Sequence, residues 1–180
     1  MMLGERISTA RERKGLTLRR TAELAQISPS LLSQIENGKV DPSLATLRKI
    51  AVALDLPLFH FVLDDYNPSS KLVKRKQRRI VVFPKSGLKY ELLHSDLQKK
   101  MGIMIGTLSP GGATSEIPLP HTGEECLVII EGIMRAEVGE ETVALEEGDS
   151  FYFDSAIPHR LWNPGNENCK FYLIITPPKF

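Results

Sequence analysis

One short segment of the N-terminal half carries polar side chains on a single side, namely Ser30, Ser33, Gln34, Asn37 and Lys39. The amide of Gln34 can donate and accept hydrogen bonds together, which is how such a side chain binds a base edge in the major groove. An exposed helix that carries short polar groups of this kind fits that groove. The chemistry predicted from these residues is recognition of double-stranded DNA.

Two short helices joined by a tight corner are predicted to present these side chains. Thr17 is placed to cap the first helix, and Ser28 to cap the second, with Pro29 at its first position. Asn37 and Gly38 then end the second helix. One apolar face is expected on each helix: Leu18, Ala22 and Ala25 form that of the first, and Leu31, Leu32 and Ile35 form the buried face of the second.

Three further helices are predicted around this pair. The first covers residues 4–14, the fourth opens after Asp41-Pro42-Ser43, and a short fifth covers residues 57–61. The inward side chains expected on the first and fourth helices are Leu3, Ile7, Ala10, Leu44, Leu47, Ile50, Ala51 and Leu54. Residues 1–63 are therefore predicted to form a five-helix bundle.

Residues 28–38 resemble the helix-turn-helix of the Xre/Cro/phage-repressor family, most closely at Gln-Ile-Glu-Asn-Gly, residues 34–38. Two positions depart from the family pattern. Gln26 stands where a glycine is usual at the corner, and Thr21 stands where a leucine is usual. Gln26 is therefore expected in a left-handed or bridging backbone conformation, at a cost of about 1 kcal/mol.

The resemblance implies both the DNA contacts and an internal ion pair. Glu36 is expected to pair with Arg11, because a free carboxylate on a DNA-facing helix would repel phosphate. The residues expected to contact base edges are Pro29, Ser30 and Gln34. Those expected to bind phosphates are Asn37, Lys39, Thr17, Leu18 and Ser28. Ser33 is expected to bind DNA beside them.

Charge divides the chain into two halves. Residues 1–80 hold 15 Lys and Arg against 8 Asp and Glu, a net charge of +7, whereas residues 81–180 hold 8 against 14, a net charge of −6. A basic half suits binding to a polyanion such as DNA, and an acidic half suits a function other than DNA binding.

The sequence contains neither a signal peptide nor an apolar run of the roughly 20 residues that span a bilayer. With two cysteines at neither zinc nor disulfide spacing, a cytoplasmic protein that does not enter the membrane is predicted.

Residues 64–79 have the composition of a linker, with Asn-Pro-Ser-Ser followed by a basic run. Two interpretations stay open: a solvated tether, and a segment that touches DNA phosphates through Lys71, Lys74, Arg75, Lys76, Arg78 and Arg79.

From residue 80 the hydrophobic period becomes that of strands. Residues 80–180 are predicted to form an all-β sandwich or barrel from the runs IVVF, YELL, GIMIGTLS, CLVII, IMRAEV, TVAL, SFYF and KFYLIIT.

Two segments of this half, residues 118–132 and 148–163, resemble the two motifs of the cupin family, which is a jelly-roll barrel or double-stranded β-helix. His121 and Glu125 fall on ligand positions of the first motif, and His159 on that of the second. The structural positions of the motifs that also match are Gly132, Gly148 and Asn163. The departures are Leu119 in place of the first metal-binding histidine, Asp154 in place of a proline and Ala156 in place of a glycine.

The resemblance implies that His121, Glu125 and His159 form a two-histidine, one-carboxylate set for one divalent ion such as Fe, Zn, Ni or Mn. The missing fourth ligand weakens such a site. Mutual hydrogen bonds or an organic ligand can also satisfy these three side chains. No cofactor is therefore certain, and the metal and its alternatives stay open.

The combination of both halves resembles bacterial transcription regulators, including those of polyamine and amino-acid catabolism. It implies a repressor that binds a DNA operator as a homodimer, associated through the cupin domain, and that responds to a small-molecule effector. The expected effector-binding residues are Glu116, His121, Glu124, Glu125 and His159.

An enzyme is the main alternative, because Fe(II) cupin epoxidases resemble this layout. The basic half and its polar helix nevertheless favour the regulator. A DNA-binding module with an inert barrel, as in toxin–antitoxin systems, is the third hypothesis.

Overall fold

The computed structural model describes residues 2–56, 58–62, 71–94 and 100–178. These residues form two compact units, a helical one up to residue 62 and a β-rich one from residue 71. The predicted α+β class is confirmed. The predicted linker of residues 64–79 lies in part outside the described residues. Its described part, from residue 71, belongs to the β unit, where Arg78 lies 3.5 Å from Glu91.

The helical unit contains α1 (Leu3–Arg13), α2 (Leu18–Leu24), α3 (Pro29–Glu36), α4 (Leu44–Ala53) and a 3-10 turn (Leu58–His60). The predicted short fifth helix is this 3-10 turn rather than an α-helix, and Pro57, its expected first residue, lies outside the described residues. The amide of Phe61 bonds to the carbonyl of Leu58, so the chain closes a three-residue turn there. The core of the unit is made by Ile7, Ala22, Leu32, Ile35, Leu44, Leu47, Ile50, Leu54, Leu58 and Phe61.

Side-chain caps fix where the helices begin. The hydroxyls of Thr17, Ser28 and Ser43 accept the amides of Arg20, Leu31 and Thr46 at 3.1–3.2 Å, as N-caps do. At the corner between α2 and α3, Gln26 has a φ of 53°, in the left-handed region that its sequence position predicted. Thr21, the other departure, is completely buried.

The β unit consists of nine strands: β1 (Ile80–Phe83), β2 (Leu88–Leu92), β3 (Gly102–Leu108), β4 (Glu124–Glu131), β5 (Met134–Val138), β6 (Glu141–Leu145), β7 (Ser150–Asp154), β8 (His159–Trp162) and β9 (Cys169–Thr176). The strands form a six-stranded sheet in the order β1-β2-β3-β9-β4-β7 and a three-stranded sheet in the order β6-β5-β8. The described pairs are all antiparallel. The all-β prediction is confirmed, but the eight predicted runs did not include β8.

The last strand, β9, lies in the middle of the larger sheet between β3 and β4. This placement is possible because Gly106 of β3 lies opposite Phe171 of β9, where any Cβ would overlap the buried phenyl ring. The core of the unit is apolar and comes from both sheets, with Tyr90, Met104, Leu127, Ala136, Leu161 and Phe171 among its buried residues. The two sheets thus enclose the space in which the polar residues of the β unit meet.

Candidate functional site

Helix α3 presents the polar side chains of the N-terminal half on its surface. Ser30 and Gln34 are exposed, Ser33 is half-buried, and Leu32 and Ile35 on the other side are fully buried. Leu31 was expected inside, but it is half-buried, since it lies at the edge of the apolar stripe. The side chain of Gln34 is therefore available for a base edge.

The residues expected at phosphates lie at the ends of α2 and α3. Thr17, Ser28, Pro29 and Lys39 are exposed, and Leu18 is half-buried. Both capping hydroxyls already accept hydrogen bonds from helix amides, which leaves the other first-turn N–H groups at these ends. The amide of Asn37 is exposed but donates to the carbonyl of Ser33 at 2.7 Å, so this side chain also closes the end of α3.

A bidentate ion pair between Arg11 and Glu36 holds α1 against α3, as predicted. Arg11 Nε donates to Glu36 Oε1 at 2.8 Å, and Nη2 donates to Oε2 at 3.0 Å. Both side chains are nearly buried, with 13% and 7% exposed, and Arg11 Nη1 donates to the carbonyl of Leu16. The hydrogen bonds from Arg11 to Glu36 raise the pKa of Arg11 although its burial opposes this. The carboxylate of Glu36 is thus neutralised at the end of α3.

In the β unit, His121, Glu125 and His159 come together, and we call them the trio. One ligand atom from each lies within 4.8 Å of the other two. Glu125 Oε1 lies 2.7 Å from His121 Nε2 and 3.8 Å from His159 Nε2, and each of the three side chains is about 95% buried. The two imidazole rings meet edge to face, with centroids 4.8 Å apart.

Each sheet contributes part of the trio. Glu125 belongs to β4 of the six-stranded sheet, His159 to β8 of the three-stranded sheet, and His121 to the segment that leads into β4. The backbones of Leu119 and His159 form a β-bridge, and the amide of His121 donates to the carbonyl of Ser155 at 2.8 Å. Pairing across 38 residues of chain therefore assembles the trio between the sheets.

Backbone carbonyls orient both rings. His159 Nδ1 lies 2.9 Å from the carbonyl of Ile157, and His121 Nδ1 lies 3.3 Å from that of Thr122. A carbonyl only accepts, so His159 Nδ1 donates to Ile157 in the tautomer that carries its proton there, and Nε2 then offers a lone pair toward Glu125. The ring of Phe153 packs on His159 with centroids 4.9 Å apart and closes one side of the site.

The other acidic residues expected at an effector do not join the trio. Glu124 precedes Glu125 on β4 and, because strand residues alternate, it is exposed on the opposite face of the sheet. Its carboxylate instead accepts the hydroxyl of Tyr152, which raises the pKa of that phenol. Glu116 is exposed, and its carbonyl accepts Arg160 Nη1 at 2.9 Å.

Comparison with known proteins gives the same division of the chain. A helix-turn-helix family model matches residues 7–61, and a cupin domain model matches residues 104–175. The HTH-type transcriptional regulator PuuR of Escherichia coli K12 is 29% identical over 98% of this chain and 96% of its own. A crystal structure of an HTH_3 family transcriptional regulator from Vibrio cholerae superposes with a TM-score of 0.75 at 28% identity, over 97% of this chain and 94% of that one.

This chain carries a helix-turn-helix domain and a cupin domain, and it is homologous to the transcriptional regulator PuuR. It is a DNA-binding regulator of transcription. The fold alone is also shared with hydroxypropylphosphonic acid epoxidase from S. wedmorenis, at a TM-score of 0.51 and 18% identity over 96% of this chain and 95% of that one. Among the residues that the structure describes, no helix is both long and apolar enough to cross a membrane.

Two residues that hold neighbouring segments together were not predicted for these roles. Gly4 lies where α1 meets the end of α3, and a Cβ there would overlap the carbonyl oxygens of Ile35 and Glu36. A glycine early in a helix is a signal of such close approach. Asn163 matched a motif position without a role, and its buried amide donates to the carbonyls of Leu108 and Glu167 and accepts the amide of Gly165.

Proposed function

We propose that this regulator is a cytoplasmic repressor whose DNA affinity is controlled by a small cationic effector bound at the trio. The proposed effector is a molecule with a primary ammonium group, as in polyamines and amino-acid-related metabolites. The observation that carries the proposal is the meeting of two imidazole nitrogens and one carboxylate oxygen from side chains that are each about 95% buried. Buried groups of this kind are satisfied by their mutual contacts or by a bound molecule or ion.

The trio is suited to a cation because it offers electron pairs. A carboxylate only accepts hydrogen bonds, and His159 Nε2 faces it with a lone pair when Nδ1 donates to Ile157. An ammonium group has three N–H donors and a positive charge, so it would replace the contact between His121 Nε2 and Glu125 Oε1 and donate to the carboxylate and to imidazole nitrogens. Glu125 is the only described carboxylate in the trio, so it supplies the negative charge that would select a cation.

The same donor set also fits a divalent metal ion. His121 and His159 would bind it through Nε2 and Glu125 through a carboxylate oxygen, while the carbonyls behind both rings hold the imidazoles in place. Leu119, which pairs with His159, supplies no fourth ligand. When bound, such an ion supplies a Lewis-acid centre with open coordination positions. We therefore propose a divalent ion as the alternative occupant, with the same three residues.

On the DNA side we propose that Pro29, Ser30 and Gln34 contact base edges. The ends of α2 and α3, together with Asn37 and Lys39, are proposed to bind phosphates. The exposure of Ser30 and Gln34 and the neutralised charge of Glu36 support this assignment. Repression would follow if the operator overlaps a promoter, and loss of operator affinity would then be the response to the effector.

The experiment compares two double variants of the full chain. An operator is first selected from random DNA by the wild-type protein, and its affinity is measured with and without putrescine as a diamine probe. We expect a change of about 1–3 kcal/mol in wild type. His121→Ala with Glu125→Ala should keep operator affinity and lose this response. Glu116→Ala with Glu124→Ala, the matched control outside the trio, should keep both.

The same measurements with Zn²⁺ in place of the diamine distinguish the two occupants. A response to Zn²⁺ alone that the His121→Ala, Glu125→Ala variant lacks would assign the trio to a metal. A full response to either probe in that variant would overturn the proposal, because the ligand would then bind elsewhere.

An oxygenase is the second candidate, and the observation in its favour is the two-histidine, one-carboxylate donor set. It predicts binding of Fe(II) and consumption of oxygen with a substrate, both independent of DNA. Oxygen uptake in the presence of Fe(II) that the double variant abolishes, without any effect of ligands on operator affinity, would favour the enzyme.

A further inference from the structure

A basic segment lies at the start of the β unit, although residues 81–180 of that unit carry a net charge of −6. Residues 71–79 contain six Lys and Arg and no Asp or Glu. Within them a 3-10 turn covers Arg75–Gln77, and the amide of Gln77 donates to the carbonyl of Lys74 at 2.8 Å. We call residues 74–77 the basic turn, since three of its four residues are Lys or Arg.

The basic turn is fixed to the sheet, so it is not a free tether. Directly after the turn, the carbonyl of Arg79 accepts the amide of Leu92 at 2.9 Å, and Arg78 Nη1 lies 3.5 Å from Glu91 Oε2. Both contacts reach β2, the strand that pairs with β1. The backbone of the turn is therefore already ordered, and a partner that binds it does not have to order a loose segment.

The charges of this segment are largely unused within the protein. Arg78 differs from the others, because it shares the carboxylate of Glu91 with Lys89. Four basic side chains are exposed, and none of them pairs with a carboxylate among the residues that the structure describes: Lys71, Lys74, Arg75 and Lys76. Positive charges this close in the chain repel one another, so binding of a polyanion that neutralises them is favourable.

The helical unit supplies such a polyanion, because it binds DNA. Eight residues, 63–70, connect that unit to Lys71. A chain of this length spans at most about 30 Å even when fully extended. A second DNA contact on so short a connection acts at a high effective concentration, so it raises affinity even where it is too weak to bind DNA alone. Lys and Arg side chains bind phosphates in this way without regard to base sequence.

We propose that the basic turn binds DNA phosphates beyond those that the helical unit contacts, so that the β unit holds the DNA as well. Lys74, Arg75 and Lys76 make the contacts, and Lys71 adds to the positive field. The turn contributes affinity and salt dependence but no sequence preference. This contact does not rest on the effector proposed at the trio, and its test requires no ligand.

Two triple variants of the full chain test the contact. The turn variant combines Lys74→Gln, Arg75→Gln and Lys76→Gln. The control variant removes two Lys and one Arg at exposed positions elsewhere in the β unit, namely Lys85→Gln, Lys100→Gln and Arg135→Gln. Both therefore change the net charge equally, and both should keep the wild-type unfolding midpoint in urea, because all six side chains are exposed.

DNA affinity is measured for both variants between about 50 and 200 mM salt, on the selected operator and on random DNA. The turn variant should bind both DNAs at least tenfold more weakly at about 100 mM salt, and its slope of log affinity against log salt should fall by about 2 to 3. The control variant should keep the wild-type slope. Equal losses in the two variants would overturn the proposal, because net charge alone would then explain them. Wild-type affinity and slope in the turn variant would overturn it in favour of an acidic protein surface as the partner.

Directed DNA cleavage locates the turn without changing its charges. In a Cys126→Ser background the remaining native thiol, Cys169, is fully buried, so a new cysteine can be labelled selectively. Gln77→Cys places an iron–EDTA label on the exposed end of the turn, and Lys85→Cys places it on the exposed turn after β1. The label at position 77 should cut the DNA backbone at fixed positions beside the operator, and that at position 85 should cut far less. No cutting from position 77, or equal cutting from both positions, would overturn the proposal.

Discussion

The helical unit and the β unit bring polar groups to their functional positions in different ways. In α3, the side chains of Ser30 and Gln34 lie exposed within eight consecutive residues, and the buried residues beside them hold the helix. The trio instead comes from three segments, and its members are about 95% buried. A surface that binds DNA can remain solvated until it is used. A buried site must be satisfied at all times, by mutual contacts or by an occupant.

The comparison also shows which substitutions should lower the stability of each unit. An exposed polar side chain can be changed with little effect on stability, because its groups are hydrated in the folded and the unfolded chain. Polar groups inside the β unit depend on partners that are far apart in sequence. We therefore expect the largest losses of stability from buried polar residues of the β unit, and purely functional losses from the surface of α3.

Asn163→Ala should give the largest effect. Its buried side-chain amide makes three hydrogen bonds, at 2.9 Å, 2.7 Å and 2.8 Å, to Leu108, Glu167 and Gly165, and the first is fully buried. Their loss leaves the buried carbonyl of Leu108 unpaired and weakens the turn that follows β8, so the free energy of unfolding of the β unit should fall by about 3 kcal/mol. Trp162 is the single tryptophan and lies in β8, so its fluorescence in urea reports on this unit. Asn166→Ala, at an exposed position, serves as control and should change stability by less than about 0.5 kcal/mol.

Gly4→Ala tests whether the DNA-binding surface depends on a buried contact as well. The new methyl group would overlap the carbonyls of Ile35 and Glu36 and push α1 away from α3, at about 2–3 kcal/mol of stability. Operator affinity should fall too, because Arg11 holds Glu36 across the same contact. Gly15→Ala meets no atom and strains only a left-handed residue, so it should cost about 1 kcal/mol and leave operator affinity unchanged. Equal operator affinity for both variants would show that α3 is held without α1.

Gln34→Ala should separate function from stability. The side chain is exposed, so the melting temperature should not change. Affinity for the selected operator should fall by about 1–3 kcal/mol, with little change on random DNA. Lys39→Ala is the matched contrast, because loss of a phosphate contact should weaken both DNAs alike and reduce the salt dependence. If Gln34→Ala weakened both DNAs equally, Gln34 would have no part in base recognition.

The smallest effect is expected at Cys169. Burial raises the pKa of its thiol from 9.0 to about 11. The folded chain thus keeps a proton that the unfolded chain loses above pH 9, so stability should decline as the pH rises from about 9 toward 11. At pH 8 a maleimide should label Cys126 and spare Cys169, because only the thiolate reacts and Cys169 is fully buried. Two labels per folded chain in mass spectrometry would contradict this.

Much of the helical unit could be predicted because its signals are local. A cap, a proline and an apolar face identify α3 within a dozen residues, and Gln26 was expected in the left-handed region from its place at the corner. The ion pair between Arg11 and Glu36 required the family resemblance, since nothing local connects residues 25 positions apart. The short fifth helix was overestimated because a three-residue turn has no periodicity to measure.

In the β unit, strands with strong alternation were predicted, and β8 was not. Its four residues, His-Arg-Leu-Trp, carry no clear strand pattern by themselves, and they form a strand because they pair with β5. Glu124 and Glu125 were assigned to one site, although strand alternation places them on opposite faces. The contacts of Glu116 and Asn163 also arise only when distant segments meet.

The sequence by itself determined the two halves, their charges, the polar face of α3 and the three residue types of the trio. Spacing along a helix fixes which side chains share a face, so these features follow from residues that are near each other in the chain. The tertiary structure decided that His121, Glu125 and His159 lie within 4.8 Å, and that Gly4 must be a glycine. Contacts such as those of the trio depend on strand order, and strand order is set by packing between distant segments rather than by local sequence.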